Sequence, residues 1–253
     1  MKPTLTLLIS LSLTLLISCD KKETLASDNL SDYISLEPGK YIRYRLDSTL
    51  FINFGQTDTV ISYQAKDVVD AEITDNTGRP SFRVIRYLRP LDSENEQDWS
   101  PTLTYIVTPT REVIELVENN LRFQKLRLPI TSGFNWHGNS FLPTTPFYDL
   151  YQFSNDDDIH EWDYTYENIG EPVAIDNQVF ENTITVAQVA DSVNVPIEFP
   201  EGLAYRNYWV EQYAKDIGLI YREAIMWEYQ PPNGGNPGFR SGFGLRMTII
   251  DHN

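Results

Sequence analysis

The chain has 253 residues, with 20 Lys and Arg against 36 Asp and Glu, for a formal net charge of −16. Such acidity argues against a nucleic-acid partner, whose phosphates it would repel, and against the protein body lying on an anionic bilayer. Hydrophobic residues at 41% and aromatic residues at 13% suffice for a sizeable core, which excludes a disordered tail.

Met1-Lys2-Pro3 leads into Thr4 to Ile17, a stretch of Leu and Ile diluted with Ser and Thr, and no acidic residue precedes Asp20. One positive charge followed by a short apolar run is the layout of a signal peptide. The run falls short of the roughly 20 apolar residues that a spanning helix needs. At its end, Leu16-Ile17-Ser18-Cys19 resembles the bacterial lipobox, in which an aliphatic residue, a tolerant position and a small residue precede a cysteine. The resemblance implies cleavage after Ser18, a diacylglycerol on the Cys19 sulfur and a third acyl chain on the freed amine. Burial contributes about 0.8 kcal/mol per CH₂, so two or three chains hold where one binds only reversibly. Cys19 is the only cysteine, which leaves no disulfide framework and no thiolate metal site. Residues 1–18 carry a single charge, Lys2, so the mature chain is slightly more acidic still.

Residues 19–36 are polar, with Lys21, Lys22, Glu23, Asp28 and Asp32, and read as a tether between lipid and fold. From residue 37 the hydrophobic period is two. Ile42, Tyr44 and Leu46 alternate with Tyr41, Arg43 and Arg45. Thr59 to Thr74 reads as a long or broken strand, and Asp75-Asn76-Thr77-Gly78 as a turn. Phe82, Val84 and Leu88 mark the next strand, and Leu103, Tyr105 and Val107 another before Pro109. Val113 to Val117 and Leu121 to Leu126 flank Asn119-Asn120, a pair that tolerates positive φ and predicts a tight hairpin. Phe147 to Phe153 is the one candidate for a short helix.

The later segments continue the pattern. Phe180, Ile184 and Val186 alternate with Glu181, Thr183 and Thr185; Tyr205, Trp209 and Tyr213 share a face; Asp216-Ile217-Gly218 is a turn. Leu219, Tyr221, Ile225, Trp227 and Tyr229 line one strand, and Phe243, Leu245, Met247 and Ile249 the last. Segments 91–101 (acidic) and 230–244 (Pro- and Gly-rich) are the two prominent loops. The prediction is a single mainly β domain over 37–253, an antiparallel sheet, sandwich, barrel or half-barrel with few helices.

Pro38-Gly39-Lys40-Tyr41-Ile42, Asn135-Trp136-His137-Gly138-Asn139 and Tyr213 to Tyr221 together resemble segments of extracytoplasmic lipoproteins of Bacteroidetes-type bacteria. That family brings no known activity; the resemblance implies a β-rich domain in the cell envelope, anchored in the outer membrane. Cys19-Asp20-Lys21-Lys22-Glu23 partly matches the surface-export signal of such lipoproteins, but with two lysines and one acid after them, so periplasmic and surface-facing sides both stay open. Asp47-Ser48-Thr49, Asp58-Thr59-Val60 and Asp191-Ser192-Val193 resemble the O-glycosylation acceptor of those bacteria and make Ser48, Thr59 and Ser192 candidate sites. Polar residues at strand ends explain each of them equally well.

The search for chemistry finds little. Of three histidines, His252 adjoins the C-terminus and is expected to fray, and His137 lies near Ser140, an adjacency that says little about a spatial triad. There is no Gly-x-Ser-x-Gly elbow, no His-Glu-x-x-His, no phosphate-binding glycine loop and no cofactor motif. Asp156, Asp158 and His160 are the metal candidates, but their spacing fits no EF-hand loop, and a solvated acidic turn before the strand Trp162 to Tyr166 accounts for them. Trp136, Tyr148, Tyr151, Trp209, Trp227 and Tyr229 are the aromatic residues to watch as a ligand platform, against the commoner reading of core and cross-strand pairs.

The leading expectation is therefore a non-enzymatic, lipid-anchored binding or accessory module, whose protein or glycan partner the sequence leaves open. A carrier of an apolar ligand in a barrel or half-barrel is the second, and an envelope glycan hydrolase the third. A carrier requires a continuous apolar cavity of several hundred Å³. A hydrolase requires two carboxylates about 5–10 Å apart in a cleft. A packed core with neither leaves the module.

Overall fold

A computed structural model describes residues 29–154 and 158–253. The expected signal peptide, the expected lipidation site Cys19, the part of the expected tether up to residue 28 and the metal candidate Asp156 lie outside the described residues. The strands are β1 (Tyr41–Ile52), β2 (Thr57–Thr74), β3 (Pro80–Pro90), β4 (Ser100–Pro109), β5 (Val113–Glu118), β6 (Leu121–Arg127), β7 (Asn135–His137), β8 (Asp163–Ile175), β9 (Gln178–Val193), β10 (Ala204–Ala214), β11 (Gly218–Gln230) and β12 (Phe239–His252). One four-residue α-helix, α1 (Tyr148–Tyr151), falls inside the predicted helical segment.

The strands form one antiparallel sheet in the order β6-β5-β4-β3-β2-β1-β12-β11-β10-β9-β8-β7. Every neighbour is a hairpin partner except β1 and β12, which join the two ends of the chain at the centre of the sheet. His252 is held in this ladder opposite Ile42, and the Asn253 side chain accepts from the Tyr41 N–H, so the expected fraying does not occur. The sheet curls until its two edges nearly meet, leaving the seam in mid-chain rather than at the termini. Across the seam the Gln124 N–H donates to the Gly138 carbonyl at 2.8 Å, and the Trp136 indole N–H donates to the Gln124 carbonyl at 2.8 Å. The Tyr166 hydroxyl accepts from the Arg127 N–H and donates to the Arg127 carbonyl. These bonds occupy edge groups that would otherwise be open to another strand. A Cβ on Gly138 would overlap the Tyr164 ring, so the seam needs glycine there.

The hairpins follow local chemistry. Asn119 and Asn120 both adopt positive φ (52° and 64°) in the two-residue turn between β5 and β6, whose twist suits the flanking strands. The Asp75 carboxylate accepts from the Thr77 and Arg79 N–H groups and the Thr77 hydroxyl, which pins the turn between β2 and β3.

Connections gather at two ends. The terminal end carries the segment before β1, the C-terminus and the turns 75–79, 110–112, 128–134, 176–177 and 215–217. The loop end carries 53–56, 91–99, 119–120, the described parts of 138–162, and 194–203 and 231–238. A 3₁₀ turn at Leu30–Tyr33 plugs the terminal end: Leu30 and Tyr33 are 3% and 1% exposed and pack with Val69, Val84, Val107, Ile114 and Leu126. Asp32 reinforces it, accepting from the Asp216 N–H through its carbonyl and pairing with Lys215 through its carboxylate. The tether drawn through residue 36 is thus too long, because a Leu and a Tyr in that polar stretch have apolar surface to bury and find the barrel mouth. The folded domain starts by residue 29, not 37. At the loop end Phe147, which leads into α1, packs with Phe123, Trp209, Met226 and Phe243 in a second core.

Candidate functional site: a charged belt across the barrel interior

Charged side chains cross the interior between the terminal-end and loop-end cores, beside a third cluster around Tyr44, Leu46, Ile220 and Met247. On one side of the interior the Arg86 guanidinium grips the Asp67 carboxylate through two bonds of 2.7 Å, and the Tyr105 hydroxyl donates to the same carboxylate at 3.0 Å. On the other side Glu211 accepts from Lys125 Nζ at 2.8 Å, from Arg222 Nε at 2.7 Å and from the Tyr213 hydroxyl at 2.8 Å. Glu118 links the halves, 3.5 Å from Arg86 and 3.8 Å from Arg222. Three cations thus meet three carboxylates, contributed by β2, β3, β5, β6, β10 and β11. Lys125–Glu211 reaches from the edge strand β6 across the seam, so the belt also holds the barrel closed.

A backbone irregularity accompanies Lys125. In the β5–β6 ladder Ile114 faces Leu126 and Glu115 faces Gln124, which leaves Lys125 as the extra residue of a bulge. Regular alternation after Leu121 and Phe123 turns Lys125 inward and would put Leu126 outside; the bulge brings Leu126 inward as well. A second bulge lies between β9 and β10, where Trp209 faces Val189 and Val210 faces Ala187, leaving Gln188 unpaired. Gln188 is 4% exposed.

Burial opposes the charge on Glu211, but Lys125 and Arg222 outweigh it and hold the carboxyl at about 2. Burial pushes Lys125 down, since it shares its single carboxylate with Arg222. The Tyr105 and Tyr213 hydroxyls are driven well above the usual phenol range, first by burial and then by the neighbouring Asp67 and Glu211 carboxylates. A buried pair of this kind contributes little net stability against an apolar replacement, but removal of one partner costs about 3–5 kcal/mol.

A cavity lies on either side of the belt, and Glu118, Lys125 and Arg222 line both. Cavity 1, toward the terminal end, has a volume of about 90 Å³; its walls are mainly aliphatic and include Ile34 and Leu36 from the segment before β1. Cavity 2, toward the loop end, offers about 80 Å³ and is walled by Phe123, Phe147, Tyr151, Trp209 and Phe243. Gln188 and Trp209 line cavity 2, and both amide atoms of Gln188 and the Trp209 indole N–H have no hydrogen-bond partner among the described residues. Such buried groups cost about 1–3 kcal/mol each when left unpaired.

The structure distributes the sequence candidates widely. Trp136 and Trp209 are buried, Trp136 against Phe134, Tyr164 and Tyr166 at the seam and Trp209 in the loop-end core. Tyr151 stacks on Phe243 at 4.0 Å and Tyr148 is exposed on α1. Trp227 and Tyr229 sit half-buried on the outer face of β11, because its even-numbered residues Arg222, Ala224 and Met226 take the inside. His137 faces Asp163 at 3.2 Å, while the Ser140 hydroxyl accepts from Gln124, so the two are engaged elsewhere. Asp158 and His160 are exposed, and among the described residues no group of three or more His, Cys, Asp or Glu could hold a metal ion. Ser48 and Thr59 lie half-buried within β1 and β2, and Ser192 is exposed near the end of β9. The preceding aspartates are engaged: Asp47 by Arg45 and Ser62, Asp58 by Arg240, Asp191 by Tyr205.

Sequence reasoning missed the belt entirely. The one signal for Lys125 is that it keeps the inward phase of Leu121 and Phe123. The chain matches no known protein family, no curated protein and no solved structure.

Proposed function

We propose that this chain is a lipid-anchored binding module of the cell envelope that holds a small ligand inside its barrel and performs no chemistry of its own. The observation that carries the binding half is an interior left partly open on both sides of a belt whose charges already satisfy one another. The anchor rests on Leu16-Ile17-Ser18-Cys19 and on the resemblance to Bacteroidetes-type lipoproteins, which also supports an outer-membrane address. A long apolar cargo is disfavoured, since six charged side chains divide the interior. Proton transfer from Glu211 is disfavoured too, because a carboxyl held at about 2 carries no proton near neutrality.

Two experiments test the two halves. Metabolic labelling with an alkyne fatty acid should mark the native protein and not Cys19→Ala; label on the variant would sink the anchor. Native mass spectrometry of the protein taken from its own envelope should show an added mass that leaves on gentle activation. An unladen mass in every preparation, together with no thermal stabilisation by any small molecule in a broad panel, would sink the binding.

A further inference from the structure

Cavity 2 differs from cavity 1 in the polar groups it presents. No residue lining cavity 1 carries a buried side-chain polar atom left unpaired among the described residues, whereas cavity 2 is lined by Gln188 and Trp209, 4% and 8% exposed, with three such atoms. Gln188 is the extra residue of the bulge beside Trp209, so the two groups sit on neighbouring strands within a residue of each other in register. Together they present two donors and one acceptor. Gln188 keeps the inward phase of Ile184 and Val186, and the bulge turns Val189 onto the same face beside it, opposite Trp209.

We propose that cavity 2 binds a small neutral molecule: a ring-sized apolar body with an amide-like head that both accepts and donates, read by Gln188 and Trp209. The proposal rests on the binding reading above and names the ligand class. Size follows from the free space: about 80 Å³ open to water centres equals on the order of five to eight such centres. An apolar body follows from the Phe123, Phe147 and Phe243 walls and from Tyr151, stacked on Phe243 at the outer side. Neutrality follows from the charges that line the cavity, each already paired: Lys125 and Arg222 with Glu211, Glu118 with Arg86 and Arg222, and Glu223 with Arg246. The Glu211 oxygens already accept from Lys125, Arg222 and Tyr213, so a charged head would enter without a counter-charge. Entry lies under α1, a four-residue helix whose Tyr148, Leu150 and Tyr151 are all exposed.

The test titrates the full chain in lipid nanodiscs, with empty nanodiscs as reference, against four probes of one size: benzamide, toluene, benzoate and benzylammonium. Benzamide should bind saturably and at least ten-fold more tightly than the other three. Gln188→Leu should bring benzamide within about two-fold of toluene while toluene binding is kept. If that variant does not fold, Trp209→Phe keeps a ring, removes the N–H and should narrow the preference in the same direction. Equal binding of toluene and benzamide to the native chain would overturn the polar-head assignment and leave an apolar lumen site standing. Preference for either ion would overturn the charge argument. No saturable binding by any probe, or a benzamide preference that both variants retain, would overturn the assignment to cavity 2. The envelope mass measurement then decides separately whether the barrel binds anything.

Discussion

The two ends of the barrel are closed in different ways. The terminal end is stoppered by the chain itself: Leu30 and Tyr33 sit almost wholly buried among aliphatic side chains, and no residue lining cavity 1 carries a buried side-chain polar atom left unpaired among the described residues. The loop end is covered by α1, which has no buried residue, above a cavity with three unpartnered polar atoms. Burial of a Leu or Tyr contributes about 1.5–3 kcal/mol, so the first closure belongs to the stability of the fold. An element that buries little opens at little cost, so the second is the natural route to the interior. The belt between them keeps the two chambers apart and is the one feature on which both depend.

The largest effect is expected where that shared wall is broken. Glu211→Gln leaves Lys125 and Arg222 buried without their carboxylate, and urea unfolding should record a loss of about 3–5 kcal/mol. Adding Lys125→Met should restore part of it; strict additivity of the two would show that the residues do not act as a pair. Next comes the stopper: Leu30→Ala should cost about 2–5 kcal/mol and loosen the terminal end, seen as faster amide exchange around Val69 and Leu126. A loss below about 0.5 kcal/mol would mean that the plug is not part of the fold.

Acid provides a third probe. Glu211 titrates near 4.5 when unfolded and at about 2 when folded, so its contribution is complete above pH 4.5 and fades as pH falls toward 2. That amounts to about 3 kcal/mol over the window, and Glu211→Gln should flatten the slope there. The smallest effect is expected at the other closure. Leu150→Ala on α1, 42% exposed, should change stability by less than about 0.5 kcal/mol while speeding exchange of probes into cavity 2. A large loss would erase the contrast between the ends.

Much of the sheet was readable from the residues. Alternation in 42–46 and 103–107, the Asn119-Asn120 turn and the Asp216-Ile217-Gly218 turn all lie where the structure has β1, β4 and two hairpins. These features are local: side chains two apart share a face, and a turn is set by the few residues within it. The site was not legible for the opposite reason. Asp67, Glu118, Lys125, Glu211 and Arg222 each look like ordinary polar positions of half-exposed strands. Only barrel closure brings residues 86 positions apart, as Lys125 and Glu211 are, to a separation of 2.8 Å.

The sequence by itself determined an antiparallel β domain and carried the expectation of a lipid anchor at Cys19, because strand period, turn chemistry and the lipobox are all written within short windows. Tertiary structure alone decided that the sheet curls until β6 and β7 nearly meet, that Leu30 and Tyr33 belong to the fold, and that two bulges bring Leu126 and Val189 onto the inner face beside Lys125 and Gln188. Those outcomes depend on which distant surfaces bury one another and on where the backbone slips by one residue, and neither is encoded in the spacing of nearby side chains.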